Sequence, residues 1–308
     1  MELFIYIPTY KRLSLLSKQL HIIYPQLKNH SKKVKLLVSI NEEDISAYNP
    51  LIKKYGFDAS LIEFRQNPSN IHGNANIALG FVLSGSPKYL WILSDDEIIL
   101  PNSIGLILKH LKDRPDFLHL GDYDKAYVEE NLTCKNIFSV PKGGGFGLIS
   151  VVISRFDFIK QDIYQAFEYI ESSFPHFAVY LSSIKRKGRA QLICVPQKNI
   201  FAFEGGLSDG DYTPSKLGYL YLADFFDNKR LFLREWMFEN WYTFFDARTQ
   251  PSYINTESRY LKALGYMRYG GVNLLFFIYY FKLKAVIIKS LKRRLVLKNL
   301  IKKFFYKL

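Results

Sequence analysis

YLWILSDDEIILPN, residues 89–102, runs from an apolar segment straight into three consecutive acids, Asp95, Asp96 and Glu97. YLWIL (89–93) reads as a buried strand because it is short, continuous and rich in aromatic and branched residues. Three carboxylates at its end repel one another and cost solvation free energy if kept dry. A divalent cation with a taste for hard oxygen ligands, Mg²⁺ or Mn²⁺, is one partner that resolves this. The start of a helix, which favours acids, is another, and PNSIGL supplies one immediately afterwards.

Outward from this stretch, short apolar runs alternate with helical patterns, the signature of βαβ units and a mostly parallel sheet. LFIYI (3–7) is the first strand, followed by RLSLLSKQLHIIYPQL at helical spacing. VKLLVSI (34–40) is the second, a helix over about 47–55 leads to SLIEFRQ as the third, and NIHGNANIALGFVLSG reads as a turn-rich loop feeding a helix. After the acids come the helix IGLILKHLKD and the strand FLHLGDY. Ligands in such sheets bind beyond the carboxyl ends of the strands, where Pro8-Thr9-Tyr10, Asn41-Glu42 and the three acids all fall.

The 308 residues are 48% hydrophobic, enough for one large α/β domain plus an appendage. The net charge of +14 invites a nucleic-acid partner, but ten Lys or Arg and no acid lie in Lys282–Leu308, interleaved with Leu, Ile, Val and Phe. Cys134 and Cys194 have no metal-ligand spacing and read as reduced thiols. MELFIYIPTYKR has no basic region ahead of its short apolar run, so no secretory signal is expected.

The order of IPTYKR, an acidic strand end, an Asn-Gly loop and WILSDDEIILPNSI resembles the GT-A glycosyltransferases of family 2. Their pattern has P-x-Y-N-R after the first strand, an N-x-G-x-x-x-A-x-N loop-helix, and F-L-D-S-D-D before a pair such as L-P. Residues 1 to about 205 follow it, and Leu93 stands where the first Asp of the metal motif usually is. The Ser-Asp-Asp form is similar to that of bacterial O-antigen and capsule transferases, the abequosyltransferase-like group included. The resemblance implies a GT-A, Rossmann-like, mostly parallel sheet flanked by helices, with residues 1–100 as the nucleotide half and 101–215 as the acceptor half. It implies metal duty for Asp95, Asp96 and Glu97, with Asp96 the direct ligand and Asp95 on the ribose or a metal-bound water. Pro8, Thr9, Tyr10, Arg12, Glu42, Asn70, His72, Gly73 and Ser94 would line the donor pocket, Tyr10 stacking on the base and Arg12 reaching phosphate or an acid.

Transfer from a nucleotide sugar builds negative charge on a leaving diphosphate, which a bound Mn²⁺ or Mg²⁺ stabilises. Inversion also needs a base for the acceptor hydroxyl. By resemblance it lies about a dozen residues before Gly188, at Pro175-His176 of AFEYIESSFPHFAVYLSSIKRKG. His176 matches that position, Glu171 is the rival and Glu168 a more distant one. A packed or helix-capping histidine is the plainer reading of His176. GGGFGLISVVISR (143–155) corresponds to an acceptor-pocket stretch or to a surface loop.

Beyond residue 200, NIFAFEGGLSDGDYTPS reads as a lid or simply as turns, and residues 216–308 as aromatic helices with a basic amphipathic tail from about 272. Val272 to Phe281 is too short to span a bilayer, which takes roughly 20 apolar residues. The tail therefore suits the surface of an anionic membrane, then a subunit interface, which leaves homo-oligomers open. No nucleic-acid fold is visible. The resulting expectation is an inverting transferase peripheral to the cytoplasmic membrane, using a UDP-sugar first, or a CDP- or dTDP-sugar, on a glycan or lipid-linked acceptor. A sugar-phosphate nucleotidyltransferase would need a Gly-rich loop carrying Arg and Lys that IPTYKRLSLL lacks. A basic scaffold protein would leave the acids unexplained.

Overall fold

The computed structural model describes residues 1–121, 123–137, 145–172, 174–202 and 219–227. Leu3–Thr9 forms β1 and Leu13–Asn29 forms α1, in which Leu16, Leu20, Ile23 and Leu27 recur at helical spacing and are buried. Val34–Ile40 is β2, with the boundaries its apolar run suggests. A 3₁₀ turn at Ser46–Tyr48 then leads into α2, Asn49–Tyr55. Ile62–Gln66 is β3, Gly73–Leu83 is α3 and Tyr89–Ile92 is β4, buried at every position. Ser103–His110 forms α4, entered through Asn102 in the left-handed region at φ 70°. Next come β5 (Phe117–Gly121), β6 (Tyr127–Leu132), β7 (Val152–Arg155), α5 (Phe156–Ile159), α6 (Gln165–Glu168), α7 (Pro175–Lys187) and β8 (Ala190–Pro196).

These strands make one sheet in the order β3-β2-β1-β4-β7-β5-β8-β6. β1 pairs in parallel with β2 and β4, β2 with β3 and β5 with β8, whereas β7 and β6 run against their neighbours. The sheet is thus mixed and mostly parallel, the α/β architecture expected. The chain moves outward from β1 to β3 and then returns to β4 on the other side of β1. This reversal leaves a crevice between the carboxyl ends of β1 and β4, where such sheets bind ligands.

Close packing fixes that crevice. A Cβ on Gly80 of α3 would lie 2.7 Å from the Tyr6 ring of β1, so the helix backbone packs directly on that ring with no room for a side chain at residue 80. Trp91 of β4 is fully buried, and its indole N–H donates to the Ser150 carbonyl at 2.7 Å. From α1, the buried Gln19 accepts from the Ile99 N–H at 3.2 Å. Gln26 accepts from the Ile104 N–H at 3.0 Å and donates to the Leu100 carbonyl at 3.1 Å. Two glutamines thereby brace the segment that follows the acids.

The stretch 143–155 departs from the loop reading. Residues 152–155 are β7, wedged antiparallel between β4 and β5, with Val152, Ile153 and Ser154 buried. Cys194, buried, and Cys134, half-buried, form no disulfide. Among the described residues no helix is long and apolar enough to cross a membrane. The lid reading of 203–215, most of the aromatic helices and the basic tail lie outside the described residues. Tyr219–Phe225 forms a 3₁₀ segment that belongs to the same compact unit as the sheet, with the Phe225 ring 5.0 Å from that of Tyr169.

Candidate active site

The end of β1 and the residues just past β4 meet at one point. Thr9 Oγ1 donates to Asp95 Oδ2 at 2.6 Å, and Arg12 Nη1 donates to Asp95 Oδ1 at 3.0 Å and Asp96 Oδ2 at 2.8 Å. Ser94 Oγ donates to Asp96 Oδ1, while the Ser94 N–H is held by Ser150 Oγ at 2.8 Å. The Asp95 side chain is 3% exposed, that of Asp96 32% and that of Arg12 47%, so one carboxylate is structural in setting and the other open to a ligand. Burial pushes the Asp95 carboxyl above its ordinary range, opposed by the Thr9 hydroxyl and the Arg12 charge. Burial also raises Glu97, whose Oε2 is buried without a hydrogen-bond partner.

β2 adds the next wall. Glu42 Oε1 accepts from the Lys11 backbone N–H at 2.7 Å and from the hydroxyl of buried Tyr48. Lys11 reaches it only by adopting φ 55°, a left-handed conformation uncommon for a residue with a Cβ. Tyr10 is exposed, its hydroxyl 3.5 Å from Asn70 Nδ2 and its ring 5.0 Å from Lys11 Nζ, and Pro8 lies within β1 opposite Ser39.

The loop from β3 into α3 completes the rim. Asn41 Nδ2 donates to Asn70 Oδ1 at 3.2 Å and to the Ile71 carbonyl at 2.6 Å, and Asn41 Oδ1 accepts from Ile71 N–H at 3.0 Å. Asn67 bridges Asn41 and Asn76, and Asn76 Oδ1 also accepts from Tyr6 and Ser39. His72 caps α3 by accepting from the Asn74 N–H at 3.3 Å, and the space beside Gly73 is open. Asn74 Nδ2 donates to the Ile170 carbonyl at 2.7 Å, which ties the turn carrying the exposed Glu171 to the first turn of α3.

The structure therefore gathers Thr9, Tyr10, Arg12, Glu42, Asn70, His72, Gly73, Ser94, Asp95 and Asp96 along one edge, with Glu171 hydrogen-bonded into its rim through its neighbour. His176 is placed differently. It is 1% exposed, its Nε2 lies 3.1 Å from the Gly147 carbonyl, its Nδ1 has no partner, and burial lowers its pKa to about 4. Glu168 lies exposed at the end of α6. Tyr48, Asn67, Asn76, Ser150, Gln19 and Gln26 escaped the sequence reading. Gln19 and Gln26, seven residues apart on the buried face of α1, and the run of asparagines from 67 to 76 were the available signals.

No protein-family model matches the sequence, and no curated protein does. Solved structures do match. Residues 1–349 of S. aureus TarS superimpose with a TM-score of 0.58 at 13% identity, over 84% of this chain and 77% of that one. TarS 1–349 in complex with UDP gives 0.54 at 14% identity over the same shares. In complex with UDP-GlcNAc it gives 0.51 at 11%, over 73% and 66%. The fold is shared. A longer TarS structure is matched over 43% of its length, so this chain spans less than half of it.

Among the described residues no group of three or more His, Cys, Asp and Glu gathers as a metal cluster. The Asp95–Asp96 pair nevertheless fits the one or two carboxylates with which Mg²⁺ or Mn²⁺ is held beside substrate phosphates. Asp95 Oδ1 and Asp96 Oδ2 converge on one point, now taken by a cationic nitrogen.

Proposed function

We propose that the chain is an inverting glycosyltransferase. It moves a sugar from a nucleoside diphosphate, UDP first and CDP or dTDP as alternatives, to a hydroxyl of a glycan or lipid-linked acceptor. The observation that carries this reading is the meeting of Asp95 and Asp96 with Thr9 and Arg12 at the crevice between β1 and β4, rimmed by Glu42 and the Asn70–Gly73 loop. The likeness of the fold to TarS, seen with UDP and UDP-GlcNAc, supports it.

Asp95 and Asp96 would hold a divalent cation, which when bound supplies Lewis-acid stabilisation of the leaving diphosphate. The Tyr10 ring, exposed at the rim, stacks on the base, and Glu42, with Oε1 taken by Lys11 and Tyr48, offers Oε2 to the ribose or a base N–H. Arg12 reaches the diphosphate. The acceptor oxygen attacks the anomeric carbon opposite the diphosphate, a C–O bond forms as the C–O bond to the diphosphate breaks, and the acceptor proton passes to the Glu171 carboxylate. Glu171 is chosen over His176 because it is the exposed one. The interleaved basic and apolar residues of 272–308 support an acceptor carried at an anionic membrane surface.

Titration of UDP, CDP and dTDP with and without Mn²⁺ tests the reading, followed by a donor-hydrolysis screen over nucleotide sugars. One nucleotide should bind with a metal-dependent gain, and Glu171→Gln should lower kcat by roughly 10²–10⁴ with donor affinity retained. Absence of binding by all three nucleotides refutes the transferase; full activity of the variant refutes Glu171 as the base.

A further inference from the structure

All four carboxylate oxygens of Asp95 and Asp96 are engaged. Asp95 Oδ2 accepts from Thr9 and Asp96 Oδ1 from Ser94, which leaves Asp95 Oδ1 and Asp96 Oδ2. Those two converge on a single atom, Arg12 Nη1, at 3.0 and 2.8 Å. One positively charged nitrogen between two facing carboxylate oxygens sits where a metal ion held by this pair would sit. The structure thus has a cation at the acidic point, contributed by the chain itself.

We propose that Arg12 is a resident counter-cation that competes with the divalent metal in the donor-free protein and yields only when a nucleoside diphosphate arrives. This rests on the reading of the crevice as a donor site. The charges give the reason. Asp95 and Asp96 together carry two negative charges, which Arg12 reduces to one; a divalent ion added without displacing Arg12 leaves the cluster net positive, with a cation beside a cation. A diphosphate removes that conflict by supplying negative charge for both, so metal and nucleotide bind with positive coupling, each raising the other's affinity by the same factor. The Arg12 side chain is 47% exposed and free to swing toward solvent and the diphosphate, whereas Asp95, 3% exposed, stays fixed by Thr9. Arg12 also keeps buried Asp95 compensated while the metal is away. Removing it leaves a carboxylate pair that a metal alone can neutralise.

The test is Mn²⁺ binding to the full-length chain without nucleotide, read from the electron paramagnetic resonance of free Mn²⁺, for the wild type, Arg12→Gln and Arg12→Lys. Circular dichroism melting confirms that each variant is folded. Arg12→Gln should bind Mn²⁺ roughly tenfold more tightly than wild type. UDP should then enhance that binding by a correspondingly smaller factor, with Arg12→Lys between the two. A folded Arg12→Gln that binds Mn²⁺ no better than wild type, or a UDP enhancement unchanged by the substitution, overturns the proposal. The nucleotide-free measurement stands apart from the functional reading. Failure of UDP, CDP and dTDP to bind the wild type sinks the donor site, whereas nucleotide binding with unaltered Mn²⁺ affinity in Arg12→Gln sinks only the role of Arg12.

Discussion

Lowering the pH separates the two candidate bases through His176. Its ring is sealed in the core, with Nε2 donating to the Gly147 carbonyl and the rings of Phe174 and Tyr180 within 6.3 and 5.9 Å. Burial holds its pKa at about 4 against an ordinary 6.5, so the folded protein keeps it neutral while the unfolded chain takes up a proton. Because the folded value is the lower one, the stabilisation is complete above about pH 6.5 and is lost as the pH falls toward about 4. At roughly 1.4 kcal/mol per pH unit the full span amounts to about 3 kcal/mol. Asp95 and Glu97 act in the opposite direction, since their raised values make the folded state gain as the pH falls. The assay is therefore differential: urea unfolding of wild type and His176→Gln, a substitution that keeps a donor for Gly147, between pH about 7 and about 4.5. Wild type should lose about 2–3 kcal/mol more than the variant across that interval. The variant should also retain kcat within a few-fold at neutral pH, because a sealed imidazole cannot receive a proton from an acceptor. Parallel pH profiles for the two proteins, or a folded variant with a loss of kcat near the 10²–10⁴-fold of a missing general base, would refute the reasoning.

Gly80→Ala should destabilise the fold by about 1–3 kcal/mol in urea unfolding, reversing the gain of up to ~1 kcal/mol that Ala brings to a helix, because the new methyl meets the Tyr6 ring at 2.7 Å and Tyr6 is pinned by its bonds to Asn76. Tyr48→Phe removes one of the two donors to Glu42 Oε1, and calorimetry should show nucleotide affinity reduced by roughly 2–10-fold with the melting temperature little changed. Asp95→Asn should stay within ~1 kcal/mol of wild-type stability, since its ion-pair partner Arg12 is half-exposed, while the metal-dependent gain in nucleotide affinity disappears.

The first half of the sheet is legible in the sequence because each of its strands is a short apolar run closed by a turn or an acid. The apolar run VKLLVSI coincides with β2, and the acids after Leu93 follow the end of β4. The far side of the sheet was harder. YVEENL, β6, is an edge strand exposed at most positions, so it carries no hydrophobic signal, and VISR was hidden among the glycines that precede it. The polar residues that hold the site were illegible for a related reason. Asn41, Asn67 and Asn76 act through hydrogen bonds to residues 9–70 positions away, and a single asparagine looks the same in a solvated turn as in a buried network. Periodicity reports which face of an element is buried, not which side chains meet across elements.

That distinction explains why the crevice depends on groups far in sequence from the acids themselves. Asp95 and Asp96 lie just past the end of β4, but their orientation is set from outside it: by Thr9 at the end of β1 and Arg12 beyond it, by Ser150 before β7 through the Ser94 N–H, and by Gln19 and Gln26 of α1 through the backbone of Ile99, Leu100 and Ile104. Each brace is a buried or half-buried hydrogen bond whose loss leaves an unpaired polar group, at about 1–3 kcal/mol. On the proposed function, a carboxylate pair that accepts a cation and a diphosphate gains from such bracing because the donors and charges are in place before the ligand arrives. Arg12, the half-exposed member of the set, is the one that can move without dismantling the rest.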